Sequence, residues 1–487
     1  MAQQKLTSQK EDFSKWYTDV ILQAGLADYS PVKGCMVIKP YGYALWENIQ
    51  TELNSKIKAA GVKNAYFPLF IPKSFIDREA EHVEGFAPEL ATVTHVGNEK
   101  LEEPLVIRPT SETIMYATFK DWIHSHRDLP LLINQWANVV RMEKRTRLFL
   151  RTTEFLWQEG HTCHATADEA EKETMRAIEM YDEFYSKFLA IPGYVGKKSE
   201  GEKFPGAVYT TTVEALAKDG KAIQGCTSHF LGQSFSKSIG IEFQNEKNEL
   251  EYVWQTSWGL TTRVIGALVV VHGDDKGLQL PPVIAPTQVV IVPIGKTDEE
   301  KAQVLGVAEE IKKALPNVRI EVDTRDYMSP GAKFFEWELK GVPVRVEIGP
   351  RDFAASQVVA ARRDTGEKEI IAMSDIVQKL PELLTSIQES MYSTARGFRD
   401  SHTHKVENYD DFKKHIEAED GFVHAHWCES ADCEAKIKEE TKATTRCRLF
   451  DEKDEKGNCV YCGKESKRRI FFAKAYGGIL KLVEKPV

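Results

Sequence analysis

VVRMEKRTRLFLRTTEFLWQEGH, Val139 to His161, is the stretch whose reading decides the fold. Two extended runs, NVVRME and LFLRTTEFLWQEGH, flank the polar string KRTR, which predicts an antiparallel hairpin with a basic tip. Side chains alternate across a strand. Arg141 and Glu143 therefore share one face, as do Arg151, Phe155, Trp157, Glu159 and His161 if the strand stays regular. That face would carry guanidinium, carboxylate, imidazole and two aromatic rings. Guanidiniums match phosphate and carboxylate oxygens in pairs, and a ring offers a surface for a purine. The face suits a nucleoside triphosphate beside an amino acid, whereas a purely structural hairpin would close it with aliphatics.

Outward from the hairpin, the chain reads as several units. At 487 residues it is too long for one core, which predicts two to four domains. With 42% hydrophobic and 28% charged residues it reads as globular. MAQQKLTSQKEDFSKW has no signal-type apolar run and no stretch reaches the length of a membrane span, so a cytoplasmic address without membrane contact is expected. The net charge of -9 disfavours indiscriminate nucleic-acid binding but leaves room for a local basic face.

SQKEDFSKWYTDVILQAGL predicts a helix capped by Ser8, with Glu11 three residues on and Phe13, Trp16, Tyr17, Val20 and Ile21 at helical spacing. YALWENIQTELNSKIKAAG predicts a second, closed by Gly61 and followed by a strand in NAYFPLFIP. DEAEKETMRAIEMYDEFYSKFLAI predicts a third, after the hairpin. The first unit is expected to be α+β, with helices outside a largely antiparallel sheet. LPPVIAP places a boundary near Pro286, and from Thr287 strands and helices alternate as a βαβαβ unit with parallel pairing. A cysteine-bearing unit starts near Arg396. Domains of 1–285, 286–395 and 396–487 follow, with an α/β class overall.

HWCESADC and GNCVYCGK supply Cys428, Cys433, Cys459 and Cys462, two close pairs suited to a structural tetrahedral zinc ion. Cys447 reads as a small buried hydrophobe. RPTSETIMY places Thr110 and Glu112 where they either cap a helix or address a substrate ammonium, and HVEGFAPE offers Phe86 as an apolar wall. AIQGCTSH gathers Gln224, Thr227 and His229 around a tight glycine turn. SWGLTTRVIGALVVVHGDD runs a small-residue strand into Arg263 at the head of an apolar helix, where triphosphate oxygens are favoured.

Taken together, these stretches resemble the prolyl-tRNA synthetase family of class II aminoacyl-tRNA synthetases, in its archaeal/eukaryote-like type. The segment ending at Pro68 resembles motif 1 of the class, the hairpin motif 2, and GLTTRVIGALVVVHGDD motif 3. RPTSET, QGCTSH and the cysteine tail are similar to the prolyl enzyme in particular. The resemblance implies a ligase that makes prolyl-adenylate from L-proline and ATP with Mg²⁺, then charges tRNA(Pro), and that works as a homodimer. By motif, Thr110, Glu112, Arg141, Trp157, His161 and His229 would line the proline pocket, with Phe86 beside it and Ser257 and Gly259 at its floor. Arg141, Glu143, Arg151, Thr152, Phe155, Gln224, Thr227, Thr261 and Arg263 would hold ATP, with Arg141 and Arg263 the catalytic cations. The βαβαβ unit resembles an anticodon-binding domain, in which Arg345, Glu347 and Arg351 suit splayed single-stranded bases, the alternative being that Arg345 and Glu347 simply pair across the sheet. The span from Thr166 to Tyr252 is too short for the editing insertion of the bacterial type. The family usually ends at a tyrosine resembling Tyr476, whereas this chain continues with GGILKLVEKPV. A threonine or glycine enzyme of the class, or a non-catalytic RNA-binding relative, would lack part of this set.

Overall fold

The computed structural model describes residues 5–78 and 90–476. Helix α1, Phe13–Gln23, is capped by Asp12, whose carboxylate accepts the Lys15 amide. Ser8, the expected cap, instead accepts the Glu11 amide in the turn before it. Asp12 wins because it stands immediately before the apolar run, and an ionised carboxylate suits the positive end of a helix. α2, Pro40–Ala59, starts on a proline whose missing N–H costs nothing there and is followed by Gly61 at φ +81°. The expected strand over NAYFPLFIP shrinks to Lys63–Asn64 and Phe70–Pro72. Pro68 and Pro72 lack the N–H that a continuous ladder needs.

α3, Glu112–Trp122, leads into the hairpin strands β1, Leu131–Val140, and β2, Glu154–His164, which pair antiparallel from Leu131↔Cys163 to Val140↔Glu154. The connection is not the four-residue KRTR turn: it spans residues 141–153 and folds back on itself at an Arg147↔Arg151 bridge, with Phe149 at φ +60°. Arg141, Glu143 and Arg151 therefore stand on a loop rather than on strand faces. α4, Ala167–Glu183, buries Ile178 and Tyr181 and relaxes into a π-helical turn at Phe184–Phe188, where Tyr185 is buried and Phe188 partly so. Strands β3, Tyr194–Lys197, β4, Tyr209–Leu216, β5, Ala222–Gly232, and β6, Trp254–Thr261, follow, and β6 runs into α5, Arg263–His272. Their sheet order is β3-β4-β5-β6-β2-β1, then Lys63–Asn64, and α4 packs on β5 and β6.

In the second unit β7, Val289–Pro293, lies between the parallel partners β8, Ile320–Val322, and β9, Val344–Ile348, with α6, Asp298–Ala314, and α7, Pro330–Leu339, as crossovers. The sheet is larger than the expected βαβαβ: β10, Gln357–Arg362, and β11, Lys368–Ala372, extend it antiparallel beyond β9. α8, Ile376–Ser401, is continuous through Arg396.

The third unit has β12, Thr403–Val406, α9, Tyr409–Glu417, β13, Phe422–His426, α10, Ala431–Thr441, and β14, Thr444–Thr445. Its next strand, β15, Arg448–Leu449, leaves the unit and pairs with β3 as the outer edge of the first sheet. β16, Arg469–Ala473, returns to the third unit's sheet, ordered β12-β13-β16-β14. β17, Ala475–Tyr476, crosses back to pair parallel with β5. Two short strands of the third unit thus complete the first unit's sheet. The extension 477–487 lies outside the described residues. Among the described residues no helix is long and apolar enough to cross a membrane.

Candidate active site

Directly opposed residues in neighbouring strands share a face, so the register of the sheet builds the site row by row. Thr210, His229, Ser257 and His161 form one row across β4, β5, β6 and β2, and Thr212, Thr227, Gly259 and Glu159 the next. Trp157 stands opposite Thr261. Strict alternation would send Gln224 to the far side. A bulge prevents this: Val213 pairs with Cys226 but Glu214 with Gln224, leaving Gly225 as the extra residue. QGCTSH is thus not a turn but a kink inside β5, and its glycine is required because a Cβ there would lie 2.4 Å from Cζ of Tyr185.

These rows floor a cavity of about 180 Å³ that brings together every anticipated proline and ATP residue within the described chain. Phe86 lies outside the described residues.

Thr110 and Ser111 do not cap α3: Ser111 makes no side-chain cap bond, and the Thr110 hydroxyl donates to Glu112. Ser111 Oγ donates to Glu159 Oε1 at 2.5 Å, joined there by Gln135 Nε2 at 3.0 Å. The other oxygen of Glu159 meets His161 Nε2 at 2.9 Å, and His161 Nδ1 meets the Tyr116 hydroxyl at 2.9 Å. Burial depresses the pKa of His161, but the bond and charge of Glu159, with Glu112 beyond, outweigh it and hold the imidazole above its ordinary value. His229, between Thr210 at 2.8 Å and Thr227 at 3.1 Å, goes the other way. Burial and the neighbouring His161 and Lys198 push it down to about 3. The cavity thus holds one cation-prone and one neutral imidazole. Among the described residues no hydrogen-bond partner reaches the buried Trp157 Nε1 or Ser257 Oγ. Two such orphans beside a cavity fit a polar ligand there.

The loop between β1 and β2 supplies the cations. The Tyr17 hydroxyl donates to the Leu148 carbonyl at 2.6 Å, pinning the fold-back, and Arg263 Nε donates to the Leu150 carbonyl at 3.1 Å. Arg151 is fixed by Glu143 at 2.6 Å. Arg141 Nε donates to the Pro109 carbonyl at 2.8 Å, and its guanidinium carbon lies 5.4 Å from the Phe155 ring centre and 5.5 Å from that of Trp157. Burial lowers its pKa to about 10, with Arg263 adding to the effect and Glu112 opposing it, so it stays charged at neutral pH. Arg108 is buried away from this group, donating to the Phe67 and Asn138 carbonyls at 2.8 Å, and ties the motif 1 segment to β1.

Several participants were not anticipated. Tyr116, Ser111 and Gln135 orient Glu159 and His161 from beneath. Lys198, Glu202 and Phe204 line the cavity beside β4. KKSEGEKF, residues 197–204, is polar in composition, and α10 of the third unit covers part of it through Glu434 on Ser199 and Lys438 on Glu202.

Cys428, Cys433, Cys459 and Cys462 bring their sulfurs within 4.8 Å of one another, with Cys428 at 3.7 Å from both Cys433 and Cys462. Sulfurs about 2.3 Å from a tetrahedral zinc stand about 3.8 Å apart, so the donor set fits that ion. Cys447 is buried elsewhere, against Phe422 and Phe471. His404, His415 and Asp420 also converge, but the two imidazoles stack at 3.9 Å and 13°, so their nitrogens face Asp420 side by side rather than a shared point in both ring planes. In the second unit Arg345 pairs with Glu347 at 2.9 Å along one face of β9, not across strands, while its guanidinium covers the Phe334 ring at 4.1 Å. Arg351 is exposed on the short helix Pro350–Ala354.

Family comparisons agree with this architecture. Residues 93–272 match the model of the tRNA synthetase class II core domain (G, H, P, S and T), and residues 288–383 that of an anticodon binding domain. These two define a class II aminoacyl-tRNA synthetase. Residues 409–476 match the C-terminal domain of prolyl-tRNA synthetase. The chain is 55% identical over 483 residues to a proline--tRNA ligase of Chlorobium chlorochromatii, covering 97% of this chain and 99% of that protein. It is 51% identical over 488 residues to one of Flavobacterium johnsoniae, with 97% and 99% covered. A crystal structure of prolyl-tRNA synthetase from Cryptosporidium parvum, complexed with halofuginone and AMPPNP, superposes with a TM-score of 0.92 at 43% identity, covering 96% of this chain and 99% of that one. The chain belongs to the prolyl-tRNA synthetase family.

Proposed function

We propose that the chain attaches L-proline to tRNA(Pro) in two steps. The proline carboxylate attacks the α-phosphorus of ATP and pyrophosphate leaves. The terminal ribose hydroxyl of the tRNA then attacks the carbonyl of prolyl-adenylate and AMP leaves. No side chain forms a covalent intermediate. The observation that carries this reading is a single cavity holding Thr110, Glu112 and His161 beside Arg141, Arg151 and Arg263. Glu112 and the Thr110 hydroxyl would take proline's ammonium, with Trp157, His161, His229, Ser257, Gly259 and Phe86 around the ring. Arg141, standing among carboxylates, rings and the Arg263 field, would bridge the proline carboxylate and the α-phosphate, and catalysis would rest on positioning and fixed cationic charge. Phe155 and Arg263 would hold adenine between them, and Glu143, Arg151, Thr152, Gln224, Thr227 and Thr261 the rest of ATP. Mg²⁺ would enter with ATP and offset phosphate charge.

The same reading assigns the four-cysteine cluster to structural zinc, Arg345, Glu347 and Arg351 to the anticodon, and the three units to 1–285, 286–395 and 396–487. Eight free cysteines suit a reducing cytoplasm. Exposed Tyr29, Val37 and Tyr43 around the start of α2 suit a second copy of the chain in a homodimer. The archaeal/eukaryote-like type is supported by core elements filling residues 166–252, which leave no room for an editing insertion. Pyrophosphate exchange into ATP, measured with each amino acid in turn, tests the assignment. Proline should drive it, and threonine or glycine should not. A threonine or glycine rate above that of proline overturns it.

A further inference from the structure

The third unit reaches into the first at more than its strand pairings. Arg446, only 2% exposed, donates through Nε at 3.0 Å and Nη2 at 2.9 Å to Oε2 of Glu214, which is wholly buried on β4. The other oxygen of Glu214 accepts the Thr212 hydroxyl at 2.9 Å and stands 3.7 Å from Lys198 Nζ. α10 holds the same stretch from outside. Its Glu434 accepts the hydroxyls of Ser199 and Thr445 at 2.6 Å, and its Lys438 meets Glu202 at 3.2 Å. Gly196 and Gly201 permit the approach, since a Cβ on either would strike Arg448 or Glu434.

Two carboxylates act on Lys198, Glu214 and Glu202, and each is engaged by another cation, Arg446 and Lys438 respectively. Arg446 takes the near oxygen of Glu214 with two N–H groups, while Lys198 sits too far from the other oxygen for a hydrogen bond. A surplus positive charge is left on a side chain that is 5% exposed and lines the cavity. A buried charge is costly unless an anion or a hydrogen-bond partner meets it. The ATP cations Arg141 and Arg151 lie on the β1–β2 side of the cavity. Lys198 lies on the opposite side, at the end of β3, three strands beyond β6. With proline and ATP seated as above, the polyanion still to enter is the acceptor end of the tRNA.

We propose that Arg446, supplied by the third unit, is a positioning residue: by engaging Glu214 it holds Lys198 in the cavity wall, where the ammonium meets a backbone phosphate of the incoming tRNA. This rests on the ligase reading. The third unit is then part of the wall at which transfer takes place, and not only a terminal metal-binding appendage.

The test is aminoacylation kinetics of the full chain against tRNA concentration at several salt concentrations, for Lys198→Gln, for the paired Glu214→Gln/Arg446→Met and for all three together. The pair avoids stranding a buried charge. Lys198→Gln should raise KM for tRNA about tenfold, and should flatten the dependence of log KM on log salt by about 0.7, the signature of one lost phosphate contact on a single strand. The pair should do the same. The triple variant should add little, because the two changes remove one interaction. Arg446→Lys should recover part of the affinity. An unchanged salt slope in Lys198→Gln, or additive losses in the triple variant, overturns the proposal. Should the paired variant fold poorly, the salt slope of Lys198→Gln and the partial recovery in Arg446→Lys decide it. Exchange driven by threonine or glycine would sink the ligase reading instead, so the two failures are distinguishable.

Discussion

Gly225→Ala tests the link between one backbone kink and nucleotide recognition. The added Cβ would lie 2.4 Å from Cζ and 2.5 Å from the hydroxyl oxygen of Tyr185. To reach ordinary contact the ring must retreat by about 1 Å. Tyr185 is fully buried in the π-helical turn, beside Phe184. Overpacking of a close-packed core costs about 1–3 kcal/mol. The strand has a cheaper escape, which is to straighten the bulge, and that turns Gln224 out of the cavity. A hydrogen bond is worth about 0.5–1.5 kcal/mol, so KM for ATP should rise about two- to twelvefold while KM for proline stays near its parent value. Urea unfolding followed through the aromatic core, with pyrophosphate exchange at varied ATP and proline, measures both. Parental stability together with an unchanged KM for ATP would refute the reasoning. A larger change for proline than for ATP would show that the bulge serves the amino acid.

Arg263→Ala should lower exchange about 10²–10³-fold with the fold intact, read as single-turnover adenylate formation and circular dichroism. Glu159→Gln should destabilise the core by about 1.5–3 kcal/mol, the worth of a hydrogen bond to a charged group. The loss depends on pH. His161 has a raised folded pKa, so its contribution is fully present below about pH 6.5 and fades as pH rises through the folded value. The gap in urea midpoint between parent and variant should narrow from pH 6 to pH 9. Cys428→Ser should abolish a stoichiometric zinc content that Cys447→Ser leaves intact, by metal analysis of the purified protein. Light scattering at micromolar concentration should give the mass of a dimer.

Where periodicity is strong and local, the sequence was legible. α1, α2, α4 and α5 follow from apolar spacing, and the residues of the motif 2 hairpin gather as expected. Two kinds of feature escaped. The first is irregular backbone. Residues 141–153 alternate like a strand on paper, yet they fold back because Tyr17, on a helix more than a hundred residues earlier, captures the Leu148 carbonyl. Such a cause has no local signature. The bulge at Gly225 escaped similarly, since a glycine in a polar string reads as a turn until Tyr185 is packed against it. The second is burial supplied from afar. KKSEGEKF is polar in composition, and α10 of the third unit covers part of it. The antiparallel strands β10 and β11 belong to neither kind. QVVAAR and KEIIA flank a turn around Gly366, a hairpin signal that was available locally.

The charge of the hairpin stretch and its rings have one physical origin. An exposed arginine loses most of its field to water, whereas one held in a dry cavity keeps it, because the effective dielectric falls. Burial is what lowers Arg141 to about 10, still charged at neutral pH. Phe155 and Trp157 present π faces that attract the guanidinium. Carboxylates are kept within Coulomb range but given other donors, Glu112 taking the Thr110 hydroxyl and Glu159 those of Ser111, Gln135 and His161. The cations are thereby oriented before any anion arrives, and no solvent shell has to reorganise as charge develops at phosphorus. The same logic applies to Lys198, whose carboxylate neighbours are likewise engaged by other cations. Positive charge therefore lines both sides of the cavity, with Arg141 and Arg151 on one and Lys198 on the other.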